Sequence, residues 1–600
     1  MCNNITIMKY LYFAAKNRYL KKSVLMFLIM TSVVSNAATI WSGSTVCPMD
    51  WSGYQAIPAS GFKSASTDHL IRLRYKDLQA GAVAILRTGD WKEMPGMKDF
   101  KSLSGNHIDI TITSAMLTKL RNNGCIIQGV GFTLTSVEVI GKDEVSKLKL
   151  EVPVTHEWLW TGNEKPYITI GIANPIAVQT SITAELLIHT DKMESYLTLK
   201  KDTLVDGNQS INVAFEFDAN PGFYHCTALV NDEVARSFIF GVNPESIVSA
   251  PDMQEDFRVF WQNTKDELAT IDPQYTLTEI PNKSTAKRKV YLLEMKSLPD
   301  GTGESIARAY YAEPTGSGKY PTIVHFCGYD SSNGEGTPWC MNGDDTPDYC
   351  ELIVSTRGQV INNRAPYKNV YGDWFAYGFG NANTYYYRGA YMDCVRAIDF
   401  VWSRDKVQRE NIFAEGTSQG GAFSIAAAAL SDGRINAIAP SVPFMGDFPD
   451  YFKVASWPGN VAEAERKKAG MSEEEMYRML SYFDTKNLAT MITCPVYMNY
   501  SLQDNVCPPH TNWAPFNNLV SSEKKYQTNP TLGHSTSETW WNDYHQFFKE
   551  HLKESNGIKE VEAVRNGDTT IYSINGIAMS SSIDSLPKGI YIQGGMKFIK

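Results

Sequence analysis

The segment 414-AEGTSQGGAFSIAAAALSDG-433 holds the residues best suited to do chemistry. Its centre reads Gly416-Thr417-Ser418-Gln419-Gly420, a G-x-S-x-G pattern in which Ser418 would be the nucleophile. Serine attack on an acyl carbonyl needs a histidine to accept the hydroxyl proton and a carboxylate to orient that histidine. It also needs backbone N–H groups aimed at the developing oxyanion. In one common scaffold the partners follow the serine in the order acid, then histidine. The apolar run 494-CPVYMNYS leads into 501-SLQDNVCPP, which carries Asp504, and His534 follows in 524-KKYQTNPTLGHSTSE, so Ser418, Asp504 and His534 stand in that order. Three other histidines compete. His325 precedes the serine, His510 lies only six residues past Asp504, and His545 sits within the helical stretch 540-WWNDYHQFFKEHLKE.

A nucleophile of this type needs a strand before it and a helix after it. The apolar run 411-NIFAEG predicts the strand, and 421-GAFSIAAAAL predicts the helix. Gly416 and Gly420 flank the serine because side chains there would collide across the tight turn. The helix start at Gln419 directs N–H groups and a positive dipole end toward the serine. A second oxyanion donor belongs in the loop after an early strand. The strand 321-PTIVHF runs into 327-CGYDSSNG, which assigns the two donors to the backbone amides of Tyr329 and Gln419.

Around these residues, helical stretches such as 254-QEDFRVFWQNTKDELATI alternate with the apolar runs 321-PTIVHF, 351-ELIVST, 411-NIFAEG and 494-CPVYMNYS. This alternation predicts a mostly parallel sheet covered by helices, and together with the Ser, Asp, His order it points to an α/β-hydrolase domain over residues 251–555. Upstream the texture is different. Alternating apolar and polar runs (69-HLIRLRYK, 82-AVAILRTG, 107-HIDITIT, 125-CIIQGVGFTLTSVEVI) predict a jelly-roll-like β-sandwich over 38–150, with a short helix at 114-SAMLTKLRNNG. The runs 167-YITIGIANPI, 182-ITAELLIHT, 212-NVAFEFD and 222-GFYHCTALVND predict an immunoglobulin-like sandwich over 151–250, which reads as a spacer. A short β-rich module closes the chain over 556–600.

Six hundred residues exceed one core and suggest about three or four domains. A hydrophobic fraction of 43% excludes wholesale disorder, and a net charge of −9 with no basic stripe argues against nucleic acid. Lys21-Lys22, the apolar run from Val24 to Val34 and Ser35-Asn36-Ala37 together describe a secretory signal peptide over 1–37. Translation from Met8 would give it a more ordinary length. No later run has the length or apolarity of a membrane span. Ten cysteines without a CxxC pair give no metal-ligand spacing, so no metal is expected. Cys340 and Cys350 are near enough in sequence to bridge; buried free thiols are the alternative.

Three motifs carry a family resemblance. Arg357-Gly358-Gln359 matches R-G-Q, Gly416 to Gly421 matches G-x-S-Q-G-G, and Asp504 with Cys507-Pro508-Pro509 matches D-x-x-C-P-P. Residues of about 255–555 thereby resemble the acetyl xylan esterase and cephalosporin C deacetylase family, carbohydrate esterase family seven. The resemblance implies nucleophile Ser418, acid Asp504, base His534 and oxyanion amides at Tyr329 and Gln419. It implies removal of acetyl from sugar hydroxyls without a cofactor, with acetylated plant polysaccharide or its oligosaccharides as partner, outside the cytoplasm. Arg357 would hold loops beneath the site. Two positions depart from the family: Ser535 stands where a glutamate usually follows the histidine, and Cys327-Gly328-Tyr329 replaces H-G-Y. The family's subunit rings are not carried over, because the N-terminal modules would interfere, and the oligomeric state stays open.

The first sandwich resembles jelly-roll modules attached to glycan-degrading enzymes, in which Trp41, Trp51 and Trp91 would stack on sugars. The tail "IYSING…LPKGIYI…G" is similar to C-terminal modules of secreted Bacteroidetes-type proteins, which implies a sorting role or a cap. Two rival functions are weighed. A prolyl-peptidase-like hydrolase would carry a propeller with repeats of about 40–45 residues, and no such period precedes residue 250. A glycan-binding protein on an inactive scaffold would not need the complete Ser, Asp and His set.

Overall fold

The computed structural model describes residues 38–553, apart from 80, 104, 143–147, 301–304, 330–347 and 368–369, and parts of 570–599. The signal peptide expected over 1–37 and Cys340 lie outside the described residues. The described residues up to Glu550 form one compact unit and those from His551 onward a second.

The first sandwich packs two four-stranded antiparallel sheets around a core that includes Phe62, Leu73, Leu86, Leu120 and Leu134. The alternating run at 125 is two strands, Cys125–Val130 and Phe132–Gly141, which belong to different sheets. Gly131 separates them with φ +76°, a backbone that L side chains resist, so the chain crosses the sandwich there. The helix Ser114–Asn123 starts on Thr113, whose hydroxyl accepts the Met116 amide, and stops at Gly124 with φ +69°.

The second sandwich faces a five-stranded sheet with a three-stranded one. Its longest strands, Thr180–Thr190 and Ser195–Val205, form a hairpin whose tip carries Asp191 and Lys192. Arg72 of the first sandwich joins the second through Glu233 at 3.1 Å, while its fork also holds Asp109.

Nine further strands form one sheet. Thr276–Glu279, Arg288–Ser297 and Ser305–Pro314 pair antiparallel along one edge, and Ser305–Pro314 also pairs antiparallel with Cys350–Ser355. From there the sheet is parallel: Cys350–Ser355, Tyr320–Phe326, Val407–Thr417, Ala437–Ser441, Val496–Ser501 and Lys524–Asn529. Such strands are buried on both faces, which explains their unbroken apolar texture. The chain reverses direction across the sheet between Tyr320–Phe326 and its neighbours, and sites in open α/β sheets form at such points, beyond the strand carboxyl ends. Cys350 lies buried as a free thiol beside the Tyr311 hydroxyl.

The terminal unit contains a three-stranded antiparallel sheet of Ile571–Ser573, Ile590–Gln593 and Met596–Ile599. Ile571, Leu586 and Tyr591 make its small core.

Candidate active site

Strand Val407–Thr417 ends one residue before Ser418, and helix Gln419–Leu430 begins one residue after it. Ser418 takes φ 60° and ψ −121°, a strained conformation for a residue with a side chain. A Cβ on Gly416 would lie 2.4 Å from the Gly420 carbonyl carbon, and one on Gly420 would lie 2.1 Å from the Phe326 carbonyl oxygen. Both positions therefore require glycine, and their contact is what allows the turn to be this sharp. The Ser418 amide donates to the Ser441 carbonyl at 2.9 Å, which ties the turn to the neighbouring strand.

The three parallel strands that end here bring distant residues together. Asp504 follows strand Val496–Ser501 and is fully buried. Its Oδ1 accepts the amides of Val506 and Cys507, both at 2.8 Å, and this fixes the carboxylate in the tight Asp504–Cys507 loop. Its Oδ2 lies 2.7 Å from His534 Nδ1. His534 Nε2 lies 2.9 Å from Ser418 Oγ. A carboxylate only accepts, so Nδ1 carries the proton and Nε2 is free to receive one from the serine. His534 sits after strand Lys524–Asn529 with a side chain 24% exposed, open enough for substrate to reach. At the position of the expected glutamate, the Ser535 carbonyl accepts from Ser501 Oγ at 2.7 Å and braces the histidine loop.

The loop after Tyr320–Phe326 passes directly over the turn. A Cβ on Gly328 would lie 3.4 Å from the Thr417 carbonyl, so Tyr329 is carried to the rim of the serine. Neither the Tyr329 nor the Gln419 amide is taken up by a partner among the described residues. The Tyr329 ring stacks edge-on against Trp374 and Trp457, with centroids 4.7 and 5.6 Å away, and its hydroxyl donates to Asp373 at 3.0 Å.

Below the site, the Gln419 and Gln359 side-chain amides pair reciprocally: Gln419 Nε2 donates at 2.9 Å and Gln359 Nε2 at 3.2 Å. Tyr387 donates to the Gln419 oxygen at 2.9 Å. The amide pair thus links the start of the serine's helix to the Arg357-Gly358-Gln359 turn. Gly358 adopts φ +76° with the Tyr371 ring 2.5 Å from where a Cβ would be. Arg357 is fully buried and grips Asp393 with two guanidinium nitrogens, at 3.0 and 2.6 Å. Burial alone would lower its pKa, but Asp393 outweighs this, so the buried guanidinium stays charged. Gly389 leaves the room it needs, since a Cβ there would be 2.1 Å from the guanidinium.

The rival histidines have other partners. His325 is buried between Glu415, 2.6 Å from Nδ1, and Glu351, 3.4 Å from Nε2. His510 contacts Asp191 at 2.7 Å, and His545 Nδ1 donates to the Trp541 carbonyl at 2.8 Å. One contact had no sequence signal. Gln503, the residue before Asp504, accepts the Ile239 amide at 2.8 Å and donates to the Ile239 carbonyl at 3.0 Å. The second sandwich, expected only as a spacer, therefore clasps the acid's loop.

A strained serine between a parallel strand and a helix, facing a histidine and then a buried carboxylate, defines an α/β-hydrolase-type site. The profile of the family described as acetyl xylan esterase (AXE1) matches residues 247–552. The chain belongs to this family and is a carboxylic ester hydrolase. It is similar to the acetyl esterase Axe7A of Xylanibacter ruminicola, at 27% identity over 412 residues, covering 65% of this chain and 88% of that one. The acetyl xylan esterase from Paenibacillus sp. R4 is 27% identical, with 52% of this chain and 98% of that chain covered at a TM-score of 0.47. Acetyl xylan esterase 1 from Thermoanaerobacterium sp. JW/SL YS485 is 24% identical with the same coverage and a TM-score of 0.46.

Proposed function

We propose that the protein is an exported esterase that removes O-acetyl groups from xylan or related plant glycans through an acyl-enzyme. The observation that carries this reading is the hydrogen-bonded chain from Ser418 Oγ through His534 to Asp504. In this reading His534 Nε2 takes the serine proton as Oγ attacks the acetyl carbonyl. Asp504 steadies the imidazolium that forms, and the Tyr329 and Gln419 amides receive the oxyanion. The sugar hydroxyl leaves with the proton from His534. Water, deprotonated by the same histidine, then releases acetate. Acetate release from acetylated xylan by the intact chain and by Ser418→Ala tests the reading; a variant that keeps full activity overturns it.

Among the described residues no helix is long and apolar enough to cross a membrane. The export reading rests on residues 1–37 and is tested by N-terminal sequencing of the protein recovered outside the cytoplasm; an uncleaved cytoplasmic chain refutes it. We read residues 38–150 as a jelly-roll-like module with affinity for glycan and 151–250 as immunoglobulin-like. The glycan reading is supported by exposed aromatics on the first module. Trp51 and Phe100 lie 4.9 Å apart, as do Tyr54 and Trp91, and the four are 37–50% exposed. Trp41 instead packs against the core of this module. Trp91→Ala should weaken retention of the intact chain on insoluble xylan, and unchanged retention counts against the module binding glycan.

A further inference from the structure

A second histidine–carboxylate cluster lies close to the acid loop and takes no part in the proposed reaction. His510 occupies the second position of helix Pro509–Asn518 and is 9% exposed. Its Nδ1 lies 2.7 Å from Asp191 Oδ2, at the hairpin tip of the second sandwich. A carboxylate only accepts, so Nδ1 carries a proton, and Nε2 points the other way. That Nε2 is sealed from solvent and has no hydrogen-bond partner among the described residues. It faces two more carboxylate oxygens, Asp450 Oδ2 at 3.4 Å and Asp447 Oδ2 at 3.5 Å.

These two distances are too long for the charge-assisted hydrogen bonds an imidazolium would make, which run at about 2.7–2.9 Å. They match the separation of ligands around a tetrahedral cation, since donors about 2.0–2.1 Å from a zinc ion stand about 3.3–3.4 Å apart. The three donor atoms all lie within 4.8 Å of one another. The carboxylates are held from behind: Lys486 takes Asp447 Oδ1 at 2.8 Å, and Lys192 and Lys453 take Asp450 Oδ1 at 2.9 and 3.1 Å. Each Oδ2 is thereby turned toward the centre, with Ser249 Oγ also donating to that of Asp447. The arrangement in which a metal-binding imidazole donates its other N–H to a carboxylate is the usual way such a ligand is oriented.

The local charge agrees. Asp252 reaches Lys486 at 3.2 Å, and Asp484 accepts the Asp447 amide at 2.8 Å. Five carboxylates (Asp191, Asp252, Asp447, Asp450, Asp484) thus share three ammonium groups, Lys192, Lys453 and Lys486. A dication would balance that surplus of negative charge.

We propose that His510, Asp447 and Asp450 bind one divalent transition-metal cation of the zinc type, with Asp191 orienting the imidazole. The ion would join three segments: the hairpin of the second sandwich, the start of helix Phe448–Val454, and the helix that follows the Asp504 loop. Its role is structural, since the ligands do not touch the serine or its partners.

The test uses the full chain, stripped with chelator, dialysed and titrated with zinc chloride by calorimetry, with metal content measured after desalting. One equivalent per chain and a zinc-dependent rise in the unfolding temperature are expected. Both should be lost in Asp450→Asn and in His510→Ala, and Asp191→Asn should weaken affinity about 10- to 100-fold. His107→Ala, at the cluster of His107, Asp109 and Glu233 between the sandwiches, should change nothing. Absence of stoichiometric binding to the wild-type chain overturns the proposal and leaves His510 as an imidazolium among its carboxylates. Binding that survives Asp450→Asn but is lost in His107→Ala overturns it too. If His510→Ala does not fold, Asp450→Asn, which keeps the imidazole, still decides the question.

Discussion

His534 and His510 begin with the same contact. Each has Nδ1 2.7 Å from a carboxylate, Asp504 in one case and Asp191 in the other. They differ in what Nε2 meets. For His534 it is the hydroxyl of Ser418 at a partly open surface; for His510 it is two carboxylates in a sealed pocket. A third histidine, His325, has carboxylates on both ring nitrogens. The comparison teaches that a histidine–carboxylate pair is only half a site. The atom opposite decides whether the imidazole accepts a proton, holds a cation or carries a fixed charge.

Substitutions at five residues and one pH series test this contrast and the packing around it. The largest effect belongs to Ser418→Ala, which should lower acetate release about 10⁵-fold or more while the far-ultraviolet circular dichroism stays unchanged. Asp504→Asn should cost about 10⁴-fold in kcat, because the amide lets the imidazole take the wrong tautomer; the equivalent change at Asp191 should leave kcat within about twofold. A drop at Asp191 as deep as that at Asp504 would erase the distinction between the two histidines.

Arg357→Ala should destabilise the fold by about 3–5 kcal/mol in chemical denaturation, since Asp393 would keep a buried charge without its partner. Arg357→Lys should recover only part of this, because one ammonium cannot replace the two-nitrogen grip. Equal stability of all three proteins would show that the buried pair does nothing for the fold.

The smallest effect is a pH dependence at His325. Burial lowers its pKa, but hydrogen bonds and charge from Glu351 and Glu415 outweigh burial and hold it at about 9. The folded value lies above the ordinary 6.5, so the stabilisation is fully present below about 6.5 and is lost as pH rises through about 9. Unfolding free energies measured between pH 6 and 10 should fall over this window, and Glu415→Gln should flatten the fall. A stability that rises over the same window would contradict the assignment.

Much of the neighbourhood of Ser418 is legible in the linear chain. A strand, a tight turn and a helix follow from an apolar run, two glycines and an alanine-rich stretch, because each is a short-range preference. The run at 125 shows where such reading stops. Its strand-forming residues continue on both sides of Gly131, yet Gly131 sends its halves into different sheets. Gln503 is a polar loop residue without any pattern, and only packing brings it to the Ile239 backbone. His510 reads as a histidine too near Asp504 to partner it, and nothing local connects it to Asp191, Asp447 or Asp450.

The sequence by itself determined the elements around the site and the order in which serine, acid and histidine arrive at the strand ends. Periodicity, turn glycines and strand spacing act over a few residues and survive in the linear text. Tertiary structure decided which carboxylate each histidine meets and what faces its second nitrogen. Those outcomes depend on loops from sequence-distant strands converging beyond the carboxyl ends of the parallel strands, with a sandwich hairpin packed against them. Because an imidazole's role is set by the groups within a few ångströms of it, that convergence separates His534 from His510.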